Sequence, residues 1–125
     1  MTSYNKRNVG SSKEESACTF LKSKGVRIRE RNFQIRQGEI DIIGYDKNVL
    51  VFFEVKFRKK TDAGRAEEAV SVSKQRQISK TALFYIAKNR IPTDTAMRFD
   101  VIAINGNEIN WIKNAFPFTS NLRSL

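Results

Sequence analysis

Two pairs of charged residues within apolar segments are the part of this sequence best suited to chemistry. Glu39 and Asp41 alternate along the first segment, and Glu54 and Lys56 alternate along the second. Because side chains at alternate positions share one face of a strand, each pair projects from a single face. A carboxylate enclosed by apolar residues is costly without a compensating cation or hydrogen bonds, so the spacing indicates a divalent metal site.

The two segments must be strands for this site to form. β-branched and aromatic residues fill both of them, and the polar run Asp46-Lys47-Asn48 separates them, which predicts a hairpin. A two-residue turn in this run sets the register of the hairpin. That register places Asp41 opposite Glu54 and Glu39 opposite Lys56, so three carboxylates and one ammonium converge on one patch.

The choice of metal and of reaction is narrowed by two residue types. The chain has no histidine and a single cysteine, Cys18, so an internal disulfide, a zinc-type site and a Ser/His or Cys/His catalytic pair are all excluded. Carboxylate and carbonyl oxygens favour hard cations. We therefore expect Mg²⁺ or Mn²⁺ as the cofactor.

The charge of the chain indicates the kind of partner. Its 23 Lys and Arg residues outnumber 13 Asp and Glu residues, which gives a formal net charge of +10. Such an excess favours an anionic partner, nucleic acid before membrane, although a generally solvated basic surface is the alternative. We expect DNA rather than RNA and leave open a homodimer or a partner protein.

The length of 125 residues fits one domain. We expect a flexible basic arm at residues 1–10, a single domain at residues 11–118 and a frayed tail at residues 119–125. The chain contains no apolar run of membrane-spanning length, and its start lacks an apolar signal-peptide core. These features predict a cytoplasmic protein without a membrane partner.

The first helix is predicted from Ser12 to Lys24. Ser11 and Ser12 stand at capping-box spacing before the two following glutamates, and Gly25 supplies a C-terminal stop. Glu14 falls on the same face as the apolar residues of this helix. It is either a capping residue near the positive helix end or a participant in the metal site.

The hydrophobic pattern of the remaining residues predicts one more helix and further strands, so the chain as a whole is predicted to be α/β. A second helix is predicted from Ser73 to Asn89, with Lys74 one turn before Ile78 on its apolar face. Further strands are predicted at residues 26–30, 32–36, 98–104 and 108–112, and residues 58–65 read as a basic loop.

The charged pattern also has a purely structural interpretation. Aspartate, twelve residues, then Glu-x-Lys is a loose pattern that arises often by chance. An internal salt-bridge cluster that joins Lys56 to Glu39 or Glu54 would account for it without any function.

Four segments together resemble a known family. They are Gly38-Glu39-Ile40-Asp41-Ile42-Ile43, Val51-Phe52-Phe53-Glu54-Val55-Lys56-Phe57-Arg58, Lys74-Gln75-Arg76 and Arg98-Phe99-Asp100-Val101. The resemblance, which covers about Gly10 to Phe118, is to the bacterial YraN family, also called UPF0102. That family is similar in turn to archaeal Holliday-junction resolvases and to the PD-(D/E)XK superfamily. It implies a restriction-endonuclease-like α/β fold with a central mixed sheet flanked by helices.

The resemblance also assigns roles to residues. Asp41 takes the place of the superfamily aspartate, and Glu54 and Lys56 take the places of the (D/E)-x-K pair. Glu14 matches the first-helix acid that serves as an additional metal ligand in junction resolvases. Family members commonly have glycine just before that acid, whereas this chain has Lys13, so the local approach of the backbone differs.

The resulting hypothesis is metal-dependent hydrolysis of phosphodiester bonds in DNA, including branched DNA, during repair or recombination. Asp41, Glu54 and Lys56 are the predicted catalytic residues. The predicted metal ligands are Asp41, Glu54, the carbonyl of Val55 and, directly or through water, Glu14 and Glu39. The predicted nucleic-acid-binding residues are Lys74, Arg76, Arg58, Lys59, Lys60 and Arg65. The rival hypothesis is a non-catalytic nucleic-acid-binding module of the same fold within a larger assembly, and a weaker one is a structural interaction protein.

Overall fold

The computed structural model describes residues 6–59 and 64–119. For residues 6–11 it describes the backbone only. The described residues form two helices and five strands. In chain order the elements are α1 (Lys6–Ser23), β1 (Arg27–Ile35), β2 (Gly38–Asp46), β3 (Val49–Arg58), α2 (Val72–Lys88), β4 (Met97–Asn105) and β5 (Glu108–Phe116).

The strands make one mixed sheet in the order β1-β2-β3-β4-β5. Neighbouring strands run antiparallel except β3 and β4, which are parallel and are connected through α2. A parallel pair requires such a crossover, whereas antiparallel neighbours need only a tight turn. The predicted α/β class with a central mixed sheet is confirmed, and the arrangement is consistent with a restriction-endonuclease-like fold.

The two helices bury their apolar sides against different cores. Ala17, Cys18 and Leu21 of α1 pack in one core with Phe53, while Ile78 and Tyr85 of α2 pack in another. Burial of each large apolar side chain contributes about 1.5–3 kcal/mol, so both helices are held mainly by tertiary packing. In the part of the chain that the structure describes, no helix combines the length and the apolar composition needed to cross a bilayer.

Helix α1 begins earlier than predicted. It starts at Lys6 rather than at Ser12, so residues 6–10 of the predicted flexible arm are helical, and residues 1–5 lie outside the described residues. The capping box predicted at Ser11 and Ser12 is wrong because the helix continues through both residues, and the preceding Lys6 and Arg7 are good helix formers. Gly25, at φ 91°, follows the helix end as predicted.

Helix α2 is positioned by a cap at its start and by a close contact at its centre. The Oγ of Ser71 accepts a hydrogen bond from the backbone N–H of Lys74 at 3.2 Å, which fixes the first turn. At the centre, a Cβ on Gly38 would lie 2.8 Å from Oγ1 of Thr81, so only glycine permits this approach of α2 to β2. Lys74 is thereby held beside the sheet.

The β2–β3 hairpin follows the predicted register only in part. Asp46 pairs with Val49 around the two-residue turn, as predicted, but the pairing ends at Ile42 and Phe53. Asp41 and the residues before it therefore lie beyond the paired part of the hairpin. The cross-strand pairs predicted for them are not formed because β2 separates from β3.

Strand β2 also changes phase at this point. Ile40 packs in the α2 core and Ile42 packs in the α1 core, although strict alternation would place both on one face. Asp41 lies between them, across from Asn32 of β1, whose backbone has a φ of 54°. This irregularity directs the acidic residues of β2 toward α1.

Candidate metal centre

Asp41 lies in the gap that opens between β2 and β3. Its Oδ2 accepts a hydrogen bond from the backbone N–H of Val55 at 2.8 Å. Since β2 no longer pairs with β3 here, this amide would otherwise lack its partner in the ladder. The carboxylate takes the place of a main-chain carbonyl, which fixes its position between the strands.

Three carboxylates from two parts of the sequence come together around this gap. Glu14 of α1 and Glu39 and Asp41 of β2 each offer one carboxylate oxygen, and these oxygens lie within 4.8 Å of one another. Glu39 also accepts a hydrogen bond from Nε2 of Gln34 at 3.2 Å. The donor set consists of hard oxygens, which suits Mg²⁺ or Mn²⁺.

Glu54 approaches Asp41 from the other side of the sheet. It alternates with Phe52, which packs in the α2 core, and its side chain is 14% exposed. Its Oε2 lies 3.8 Å from Nζ of Lys74 in the first turn of α2, and its carboxyl group shares a hydrogen bond with Asp41. Asp41 therefore connects the Glu14 and Glu39 side of the site with Glu54.

The carboxyl groups resist ionising together. Burial raises the pKa of Asp41 to about 8, the negative charge of Glu54 adds to the effect, and the Val55 N–H opposes it. Burial also raises the pKa of Glu54, against the opposing charge of Lys74. The pKa of Glu14 is raised by burial and partly restored by a hydrogen bond with Asn32. A cation among these groups would favour their charged forms.

Lys56 projects on the same side of the sheet as Glu54, but its ammonium has a different partner. Its Nζ donates a hydrogen bond to the backbone carbonyl of Glu68 at 2.5 Å. Among the described residues, no ion pair joins Lys56 to Glu39 or Glu54, and the ion pair of Glu54 is with Lys74. The salt-bridge interpretation based on Lys56 is therefore wrong in the form in which the sequence suggested it.

The residues predicted to bind nucleic acid are divided between the site and its surroundings. Lys74 contacts the site directly, and Arg76 is exposed one turn or less along α2. Arg58 ends β3. Lys59 and Arg65 line a surface cavity of about 410 Å³ beside the β4–β5 turn. Lys60 lies outside the described residues.

A fully buried aspartate elsewhere in the sheet shows how an acid is satisfied by hydrogen bonds from the protein. Asp100 of β4 is 0% exposed and accepts hydrogen bonds from Arg98, from Nε1 of Trp111 and from the backbone of Asn114. Asp41, with one amide donor and a carboxyl neighbour, has no comparable compensation.

Two contributors to the site were missed from the sequence. Asn32 supports Glu14 from the irregular part of β1, and the carbonyl of Glu68 holds Lys56. An asparagine inside an otherwise alternating strand is a weak signal of a positive φ. A main-chain carbonyl in a loop leaves no sequence signal at all.

These observations define a class of protein: an α/β domain with a mixed sheet, in which carboxylates gather where two strands separate. Residues 13–104 match the uncharacterised protein family UPF0102, and the chain belongs to that family. The family part of the sequence-based resemblance is thus confirmed.

Relatives share nearly the whole chain. A UPF0102 protein of Lachnoclostridium phytofermentans is 45% identical over 112 residues, which cover 90% of this chain and 95% of that protein. A UPF0102 protein of Francisella tularensis subsp. tularensis is 47% identical over 109 residues, which cover 86% of this chain and 93% of that protein. A UPF0102 protein of Aliivibrio fischeri is 45% identical over 114 residues, which cover 89% of this chain and 93% of that protein.

Proposed function

We propose that this protein is a metal-dependent nuclease that hydrolyses phosphodiester bonds in DNA, branched DNA included. The proposal includes membership of the restriction-endonuclease-like PD-(D/E)XK superfamily and similarity to archaeal Holliday-junction resolvases. The observation that carries it is the acidic centre: the half-buried carboxyl group of Asp41 lies beside Glu54, and one of its oxygens lies within 4.8 Å of oxygens of Glu14 and Glu39.

The residues present fit a divalent cation. Asp41 would hold it together with Glu54 and the carbonyl of Val55, and the close grouping of Glu14 and Glu39 with Asp41 supports direct roles for these two acids as well. When bound, Mg²⁺ or Mn²⁺ would polarise the phosphodiester and lower the pKa of the attacking water.

The two lysines near the acids would act on the substrate. Lys56, on the same side of the sheet as Glu54, would orient the attacking water, accept its proton or stabilise charge on the phosphoryl oxygens. Lys74 is 43% exposed and lies 3.8 Å from Glu54. Once a cation neutralises Glu54, this ammonium can pair with a phosphate instead.

The net charge of +10 supports nucleic acid as the partner. The acids favour an enzyme over a binding module, because carboxylates repel phosphate and a surface that only binds has no need of them. The non-catalytic module is therefore the alternative that the test below must separate.

The test is cleavage of branched, linear and single-stranded DNA in Mn²⁺, Mg²⁺ and chelator. We expect metal-dependent cleavage by the wild type that is lost in Asp41→Asn. Lys56→Met, which keeps most of the side-chain stem, should reduce cleavage by about a hundredfold or more while metal and DNA binding persist.

Asp94→Asn is the matched control, because it removes an exposed carboxylate outside the site. It should cut at the wild-type rate. Cleavage by Lys56→Met at the wild-type rate would exclude a catalytic role for this lysine. A wild type that binds DNA but cuts no substrate in the panel would leave the binding module as the better assignment.

A further inference from the structure

The segment at residues 64–71, here called the strap, leads into α2 and passes over the side of the sheet that carries Glu54 and Lys56. A turn closes within it, in which the N–H of Glu68 donates to the carbonyl of Arg65 at 3.2 Å. At its far end Ser71 caps α2. The strap therefore has a defined conformation in its own backbone.

The strap is attached to the sheet chiefly by the side chain of Asn105, the last residue of β4. Oδ1 of Asn105 accepts from the N–H of Ala66 at 2.8 Å, and Nδ2 of Asn105 donates to Oε1 of Glu67 at 2.8 Å. Asn110 donates to the other oxygen of Glu67 at 3.4 Å. Ala66 is itself 0% exposed and belongs to the α2 core, so both its side chain and its amide are fixed.

Next to these anchored residues, the carbonyl of Glu68 receives the ammonium of Lys56 at 2.5 Å. We infer that Asn105 and Glu67 are positioning residues for Lys56: by fixing the strap, they hold the Glu68 carbonyl where it keeps this ammonium beside the acidic centre without an ion pair to its carboxylates. The catalytic consequence of this inference rests on the proposed function, whereas the positioning itself does not.

The inference follows from what a lysine ammonium does next to carboxyl groups. The side chain of Lys56 is flexible, and the carboxyl groups of Glu54 on β3 and Asp41 on β2 lie nearby. An ammonium released from the Glu68 carbonyl would exchange between solvent, where its amine is accessible, and these acids, where it acts as a counter-ion. There it would compete with a divalent cation and would no longer be placed to act on substrate. With the strap in place, Lys74 remains the ion-pair partner of Glu54, and the ammonium of Lys56 remains available to act on substrate.

The test measures the accessibility of the Lys56 amine in the metal-free full-length protein. Limited acetylation is followed for each lysine by peptide mass spectrometry. In the wild type, Lys56 should react more slowly than exposed Lys22. In Asn105→Ala and in Glu67→Ala its rate should rise by about tenfold, the scale expected when a hydrogen bond to a charged group is lost.

Two variants serve as controls. Glu67→Gln keeps an oxygen that accepts from Asn105, so Lys56 should stay protected. Glu108→Ala removes a partner of Arg65 at 3.4 Å but leaves the Asn105 bonds intact, and it should also leave Lys56 protected. If Asn105→Ala fails to fold, the comparison of Glu67→Ala with Glu67→Gln decides the question.

A Lys56 rate equal to that of Lys22 in the wild type, or unchanged in folded Glu67→Ala, would overturn the inference. On a DNA substrate that the wild type cleaves, Glu67→Ala should lower kcat by about tenfold and keep KM within about twofold of the wild-type value. Glu67→Gln should have the wild-type kcat. A wild type that cuts nothing would refute the proposed function, while the acetylation rates would still decide whether the strap positions Lys56.

Discussion

Two aspartates of one sheet show what distinguishes a structural acid from a candidate ligand. Asp100 is completely buried, yet a guanidinium, an indole N–H and a backbone N–H all donate to it. Asp41 receives one amide hydrogen bond and faces a second carboxyl group. Withdrawing a charge from water without compensation is unfavourable, so a cation would supply what the half-buried Asp41 lacks.

The pKa of Asp41 makes the metal-free protein sensitive to pH. This carboxyl group titrates near 3.8 when unfolded and at about 8 when folded, so the folded state binds its proton more tightly. Its contribution to stability is complete below pH 3.8 and is lost as the pH rises through about 8. In chelator, the free energy of unfolding should therefore fall over this range.

Asp41→Asn should flatten that dependence, because an amide has no proton to lose. Urea unfolding of the two proteins at several pH values, with chelator present, measures both slopes. Parallel slopes for wild type and variant would show that Asp41 does not keep its proton in the folded state.

Metal binding should appear as thermal stabilisation. Mn²⁺ or Mg²⁺ that binds only the folded state raises Tm by mass action. We expect Asp41→Asn to abolish the shift, Glu54→Gln and Glu14→Gln to reduce it, and Asp94→Asn to leave it unchanged. Scanning calorimetry at a fixed metal concentration measures this, and equal shifts in all five proteins would exclude the acidic centre as the metal site.

At the scale of elements, the contact between α2 and β2 depends on the missing side chain of Gly38. In Gly38→Ala the new Cβ would lie 2.8 Å from Oγ1 of Thr81 and 3.3 Å from the carbonyl of Gln77. Overpacking of this kind typically costs about 1–3 kcal/mol in unfolding free energy. Thr81→Ala removes the closer of the two contacts.

The double variant should therefore be more stable than the sum of the two single changes predicts. A double-mutant cycle by urea unfolding measures this coupling. Strict additivity would mean that the backbone shifts at little cost and that Gly38 does not set the position of α2.

The sequence predicted the elements better than the way in which they meet. The turn after Asp46 and the helix that carries Lys74 depend on local signals, and both were predicted to within a residue. The grouping of Glu14 with Asp41 depends instead on the end of the hairpin ladder and on the phase change of β2. Register arithmetic assumes a continuous ladder, so it placed Asp41 opposite Glu54 and missed the gap.

The partner of Lys56 shows the same limit. Which of two lysines pairs with Glu54 depends on the path of the strap, and Asn105 holds the strap from the end of β4, far along the chain. Tertiary contacts of this kind leave no periodic pattern in the sequence. The residue types of the site could be read in advance, but not which cation pairs with which acid.

At the scale of the whole molecule, the excess of positive charge should govern binding. If basic residues neutralise phosphates on duplex DNA, the logarithm of the affinity falls with the logarithm of the salt concentration by about 0.9 per phosphate. Lys74→Ala should make the slope shallower by about that amount. Lys22→Ala, at the last turn of α1, is the control and should not change it.

Fluorescence anisotropy over a salt series measures these slopes. An equal change in both variants would mean that DNA contacts the basic surface diffusely, without preference for the side of the molecule that holds the acidic centre.

The strands lie in the sheet in the same order as in the chain. Three of the four links between neighbours are two-residue turns, and only β3 and β4 are joined through a helix. Pairing of adjacent segments needs little loop-closure entropy, so such sheets form quickly and from local contacts. Glu39, Asp41 and Glu54 belong to one hairpin and therefore meet early in folding. Refolding of the metal-free chain should consequently slow as the pH rises, because ionised carboxylates then repel each other before the rest of the sheet has formed.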